Sequence, residues 1–291
     1  MAQSARPNDL LQRPRLARRQ SVIALFVITI AVVCVGWLIT TNARRPPSYK
    51  GVSLTGWLEG ILFEKPGAEQ GVREIGTNAI PFLVEMLRVK HSPLLERVLQ
   101  RTQDERGQRL GLRPDSTRRW LAYAGFKALG SQAEQATPLL LPLVNDPPTS
   151  RFAALSLAAI GSVGLYSLTN ALTNANRDVL CSVLNALGTA NSDQLFAAAL
   201  LTNYIAHTNY VVRFVAVQAL GGLREQPALA VPALATAVGD TNRAVRRIAI
   251  EQLKGFGKAA SPAIERVAQA TNDVDPMVRE AAMSCLQQIQ P

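Results

Sequence analysis

The 291 residues exceed one average domain, so either two domains or one extended repeat array is expected. Nearly half are apolar yet only 5% are aromatic, with Ala and Leu in their place, which suits helix-on-helix packing better than a β-sandwich. The formal charge of +10 does not mark a nucleic-acid surface, because residues 1–20 carry +4 and residues 41–50 a further +3. Only +3 remains for residues 51–291, where 23 basic residues nearly balance 20 acidic ones.

In chain order, residues 1–20 form a basic tail. Residues 21–40 read SVIALFVITIAVVCVGWLIT, twenty residues without a charge. At 1.5 Å per residue they reach about 30 Å, the thickness of a hydrocarbon core, and Trp37 fits an interfacial anchor. A cleaved signal sequence has a shorter apolar stretch, and a core helix would not be flanked by RPRLARR and ARRPP. A single transmembrane helix is therefore expected, ended by Pro46-Pro47 in a linker over residues 41–55. Five Arg precede the span and three basic residues follow it, so the N-terminus is expected on the cytoplasmic side of the inner (plasma) membrane. The remainder would then be extracytoplasmic, in the periplasm of a cell with two membranes.

From about residue 120 the chain repeats itself. Three segments align without gaps, VRFVAVQALGGL from Val212, VRRIAIEQLKGF from Val245 and VREAAMSCLQQI from Val278, at a constant period of about 33 residues. A fourth, VLCSVLNALG, begins one period earlier at Val179. Apolar residues recur four positions on (Val183, Ala216, Ala249, Ala282) and eight positions on (Leu187, Leu220, Leu253, Leu286), which is one helical face repeated. Looser copies start at Leu121 and Phe152, and GVREIG at residues 71–76 opens the series. Between these helices lie second apolar segments entered at or near Pro81, Pro138, Pro232 and Pro262, residues suited to a first helical turn. Gly130, Gly188 and Gly221–Gly222 stand where helices should end. Each unit reads as an antiparallel helix pair that must stack to bury its apolar face. The expected architecture is an all-α solenoid over residues 56–291.

The pattern Pro-x-Leu, then Asp-x-x-x-x-Val-Arg-x-x-Ala-x-x-x-Leu, resembles the bacterial HEAT repeat and its short HEAT-like form. In that form an Asp in the inter-helix turn is followed six residues later by an Arg, as in Asp240 with Arg246 and Asp273 with Arg279. One unit earlier Arg213 is kept but His207 takes the Asp position, and before that stand Asn174 and Leu180. These residues read as a structural ladder that caps turns and ties neighbouring units. The segment YKGVSLTGWLEG at residues 49–60, followed by GVREIGTNAIPFLVEML, also resembles the opening of membrane-anchored bacterial HEAT-repeat proteins. Within the array, residues 88–119 interrupt the pattern with nine basic and four acidic residues. This is either a solvated insertion or a surface for an acidic partner or lipid.

Cys34 lies in the apolar run, and Cys181 and Cys285 fall three repeats apart, so no disulfide is expected between them. The only histidines are His91 and His207, neither with a metal-compatible neighbour in sequence. No HExxH, CxxC, P-loop or GxSxG is present, so neither catalysis, nor a metal, nor a cofactor is expected. Trp57 and Trp120 are expected in the core. The HEAT resemblance implies that the Val-Arg helices line a concave side. Positions two and six residues after each start would then face a partner: Tyr123, Lys127, Asn185, Phe214, Gln218, Arg247, Glu251 and Glu280, with Ala154, Ala158, Cys181 and Ser284 completing the strip. This mixed surface suits a protein or peptide better than a phosphate backbone. The expected function is a membrane-held binding scaffold, with a monomer favoured. An enzyme of lyase or glycosylase type, or a structural envelope component, is the alternative.

Overall fold

The computed structural model describes residues 45–88, 90, 96–97, 114–173 and 176–289. The expected basic tail, membrane helix, most of the basic insertion and Asn174 lie outside the described residues. Among those described, no helix is long and apolar enough to cross a membrane. Contacts divide the chain into residues up to Pro46 and residues from Pro47 onward; the second unit is described below.

It opens with a hairpin, β1 (Ser48–Tyr49) paired antiparallel with β2 (Val52–Ser53). The turn falls at Lys50 and Gly51, whose φ values of +48° and +76° are the left-handed pair a tight hairpin needs. Ser53 caps α1 (Leu54–Leu62), its Oγ accepting from the Gly56 N–H at 3.3 Å. Trp57 of α1 donates through Nε1 to the Tyr49 carbonyl at 3.3 Å and lies across Gly71, where any Cβ would strike its ring. The motif shared by residues 49–60 and 71–76 is thus one packing unit, a hairpin clamped by a half-buried tryptophan over a glycine.

Then follow α2 (Ala68–Ile75), α3 (Ile80–Arg88), α4 (Asp115–Leu129), α5 (Thr137–Val144) and α6 (Pro147–Ala159). After them come α7 (Ser162–Ser167), α8 (Thr169–Leu172), α9 (Arg177–Leu187), α10 (Gln194–Thr202) and α11 (Tyr210–Leu220). The last four are α12 (Pro227–Ala237), α13 (Arg243–Phe256), α14 (Ile264–Gln269) and α15 (Pro276–Ile289). They form two rows. The Val-Arg row is α2, α4, α6, α9, α11, α13 and α15, each packed on the next. The proline row is α3, α5, α7 with α8, α10, α12 and α14 with its flanking 3-10 turns. Val179, Val212, Val245 and Val278, with Val183, Ala216, Ala249 and Ala282, are all buried between the rows, as the recurring apolar face requires. Among the described residues one continuous core runs from Leu54 to Ile289.

Several details depart from the sequence pattern. Pro232 does not open its helix: α12 begins at Pro227, and Pro232 sits inside it, where the missing N–H is tolerated on an exposed side. Pro262 lies in the 3-10 turn Gly257–Ala263 ahead of α14. Ala154 and Ala158 are fully buried, because α6 is enclosed by α4, α5, α7 and α9. Trp120 is likewise not core. It shares an exposed stripe of α4 with Ser116 and Lys127, while the buried stripe begins at Leu121.

Candidate functional site

The turns that enter the last Val-Arg helices are built alike. Asn209 and Asn242 cap α11 and α13, their Oδ1 atoms accepting from the N–H groups of Val211 and Ala244 at 2.9 Å. Asp275 serves α15 in the same way, accepting from Met277 N–H at 3.0 Å. Two residues before each cap, a second acceptor closes the turn. Asp240 Oδ1 accepts from Asn242 N–H at 2.7 Å, and Asp273 Oδ1 from Asp275 N–H at 2.8 Å. At the corresponding place His207 Nδ1 accepts from Asn209 N–H at 3.1 Å, so the imidazole substitutes for the carboxylate.

The arginines then join the units. Arg213 Nη1 donates to the carbonyls of His207 and Thr208 in its own turn, at 2.9 and 3.1 Å. Its Nε and Nη2 grip the Asp240 carboxylate of the next unit at 2.7 and 2.8 Å. Arg246 repeats this, with Asp240 and Thr241 carbonyls at 3.0 and 3.2 Å and the Asp273 carboxylate at 2.7 and 2.8 Å. Arg279 Nη1 holds the Asp273 and Val274 carbonyls at 2.8 and 3.3 Å. An arginine therefore meets the residue six before it through the turn carbonyl, whereas its carboxylate comes from the next unit along the chain. That accounts for the departures upstream. Leu180 and His207 stand at the same separation as Arg213 and Asp240, so arginine and carboxylate are lost together and neither charge is left unpaired.

Both forks are largely shielded from water. Burial pushes the Asp240 carboxyl up, but the Arg213 guanidinium and the Asn242 N–H outweigh it and hold the group below its ordinary range. The hydrogen bond from Arg246 does the same for Asp273, against a weaker opposing push from burial. In return Asp240 and Asp273 hold the arginine protons more firmly.

The strip expected to meet a partner is only partly assembled. Lys127, Gln218, Glu251 and Glu280 are exposed, while Tyr123, Asn185, Phe214 and Arg247 are half-buried. Burial of Ala154 and Ala158 in α6 interrupts the strip between Lys127 and Cys181. At the other end Arg247, Glu251 and Glu280 come together in a cleft of about 250 Å³ between α13 and α15. Lys254, Met277, Ala281 and Ser284 complete its lining. Arg247 Nη1 donates to Glu251 Oε1 at 3.0 Å, and Lys254 Nζ donates to Ser284 Oγ at 2.8 Å, which ties the two helices at the cleft. Sequence reasoning had not selected Lys254, Met277 or Ala281. Taking the face at steps of four and seven positions (Arg247, Glu251, Lys254; Met277, Ala281, Ser284) would have found them.

Cys181 is half-buried and Cys285 buried, both as free thiols. Burial raises the Cys181 thiol and pushes Cys285 up to about 11, which suppresses the thiolate at neutral pH. Among the described residues no group of three His, Cys, Asp or Glu could hold a metal ion.

Residues 165–254, from α7 to α13, match the family of HEAT repeats. That stretch is similar to HEAT repeats. No curated protein matches the chain. Among solved structures, the chain is similar to the archaeal HEAT-like repeats protein from Thermococcus onnurineus, at 11% identity and a TM-score of 0.40, over 83% of this chain and 98% of that one. A designed armadillo repeat protein in complex with the peptide (KR)4 is similar at 14% identity and 0.40, over 72% and 99% of the two chains. Human deoxyhypusine hydroxylase is similar at 17% identity and 0.29, over 81% and 95%. Helical-repeat chains similar to this one thus include a peptide-bound protein and an enzyme.

Proposed function

We propose that the protein is a scaffold held at the inner membrane by residues 21–40, with its HEAT array outside the cytoplasm and a protein or peptide partner bound along a concave Val-Arg row. The observation that carries this reading is the cleft between α13 and α15. Arg247 and Glu251 on one helix and Glu280 on the next meet there over the apolar surfaces of Met277 and Ala281. Such a cleft offers both signs of charge around an apolar floor, which is what an amphipathic peptide side chain requires. It lacks the run of uncompensated cations a nucleic-acid backbone needs.

Cross-linking in native membranes, with identification of the captured protein, tests the surface. Replacing Phe214, Arg247 and Glu251 by Ala should abolish capture. The partly exposed Arg247–Glu251 pair contributes only about 0.3–0.5 kcal/mol, so the Arg247→Ala, Glu251→Ala double variant, which keeps the core-packed Phe214, should leave thermal unfolding nearly unchanged while still weakening capture. Capture that survives the triple substitution would remove this surface from consideration. Protease added to intact cells and to spheroplasts tests the topology; digestion from the cytoplasmic side alone would reverse the orientation.

A further inference from the structure

The stripe by which one Val-Arg helix meets the next can be followed along the last units. On α13, Arg246 reaches Asp273 and Lys254 reaches Ser284 of α15, and Ile250 stands between them at steps of four residues. On α11 the same stripe is Arg213, Val217 and Gly221. Arg213 grips Asp240, and a Cβ on Gly221 would strike the Gln252 side chain of α13. The stripe is closed in both places, since Val217 and Ile250 are 0% exposed. One period on, in α15, it recurs as Arg279, Met283 and Gln287. There it is open. Met283 is 53% exposed, and Gln287 is exposed as well. Arg279 Nη1 is fixed by the carbonyls of Asp273 and Val274, as in the two preceding arginines, but among the described residues its Nε and Nη2 meet no carboxylate.

We propose that the α15 stripe is a docking face for a helical partner protein that presents an aspartate in the turn entering one of its helices. The molecule shows twice what fits such a face. Asp240 and Asp273 each take an arginine Nε and Nη2 at 2.7 and 2.8 Å, and the apolar residue one helical turn beyond that arginine is buried in the same contact. The Arg279 guanidinium is already held by the same two turn carbonyls as its predecessors, so a carboxylate can grip it bidentately without first ordering it. The partner is a different chain. In a second copy stacked head to tail, Gly67 stands six residues before Arg73, where the ladder needs its aspartate. In a two-fold contact of α15 with itself, Asp273 and Asp275 are already engaged by Arg246 and Arg243, and Glu280 lines the cleft toward α13.

The probe is a fluorescently labelled peptide of residues 257–289, the segment that covers the same stripe on α13, titrated with the full chain in detergent micelles. It should bind, and gain helix on binding by circular dichroism. Arg279→Gln in the chain and Asp273→Asn in the peptide should each weaken binding about tenfold or more, and together by no more than either alone. Should Arg279→Gln loosen its own turn, Met283→Glu tests the same stripe from an exposed position. It should weaken binding in the same direction and leave thermal unfolding of the chain unchanged. A peptide that does not bind at ~1 mM, or that binds these variants as well as the wild type, overturns the proposal. So does a full chain whose dimer is lost on Arg279→Gln, which would give the stripe to a second copy.

Discussion

The units after residue 207 and those between residues 137 and 206 are made of the same helix pairs, yet they are held to their neighbours by different forces. In the later region each unit is pinned by a guanidinium that spans two turns, Arg213 to Asp240 and Arg246 to Asp273. In the earlier region the charges have almost vanished. Residues 152–212 contain only Arg177, Asp178 and Asp193, against 18% charged residues in the whole chain. There α6 is buried all round from Ala153 to Ala158, and stacking rests on Ala153, Ala154, Leu157, Ala158 and Leu184, all essentially without solvent exposure. A repeat array can therefore exchange ionic stitching for apolar packing, unit by unit, as long as both members of a pair are exchanged together.

The largest effect should come from breaking one fork. Arg246→Ala leaves a shielded Asp273 carboxylate unpaired and two turn carbonyls without their donor, and should cost about 3 kcal/mol in denaturant unfolding. A loss below about 1 kcal/mol would place the pair with ordinary surface salt bridges and erase the contrast between the regions.

Acid sharpens the same contrast. Asp240 and Asp273 have folded-state pKa values below their unfolded ones, so their contribution is complete above the unfolded value near 3.9 and is lost as pH falls through the lowered values. The melting temperature should be flat from about pH 7 to 5 and fall steeply below about pH 4. Asp273→Asn should start lower at neutral pH and converge on the wild type in acid. Parallel curves would mean that the ladder carboxylates do not drive the acid response.

Much of this was legible before any coordinates. The recurrence of Val and Ala once per unit gives the buried face, whereas the caps Asn209, Asn242 and Asp275 emerge only from the structure. What escaped were facts set by neighbours and not by spacing within a unit. The partner of each ladder carboxylate lies in the preceding unit. Ala154 and Ala158 occupy outward positions of a helix whose stretch from Ala153 to Ala158 is buried all round. Pro232 reads as a helix start because an interior proline is rare, yet Pro227 starts that helix. The cleft between α13 and α15 was half legible. Arg247, Glu251, Glu280 and Ser284 stood in the strip read from sequence, and Lys254, Met277 and Ala281 depend on how two helices meet.

The subtlest prediction restores the ladder where it is missing. Leu180 and His207 occupy the register of Arg213 and Asp240, one unit earlier. His207→Asp alone should keep the cap on Asn209 N–H but add a carboxylate without a cation, a small loss. Leu180→Arg alone removes a buried leucine from the core and should lose more. Together the two should fall short of the summed losses by about 1–2 kcal/mol, measured as the coupling in a double-mutant cycle of urea unfolding. A positive coupling means that the central units have the same turn geometry as the later ones and merely lack the charges. Strict additivity means that the shortened unit between Phe152 and Val179 has shifted the turns out of reach, so that apolar packing there is imposed by geometry and is not an interchangeable choice.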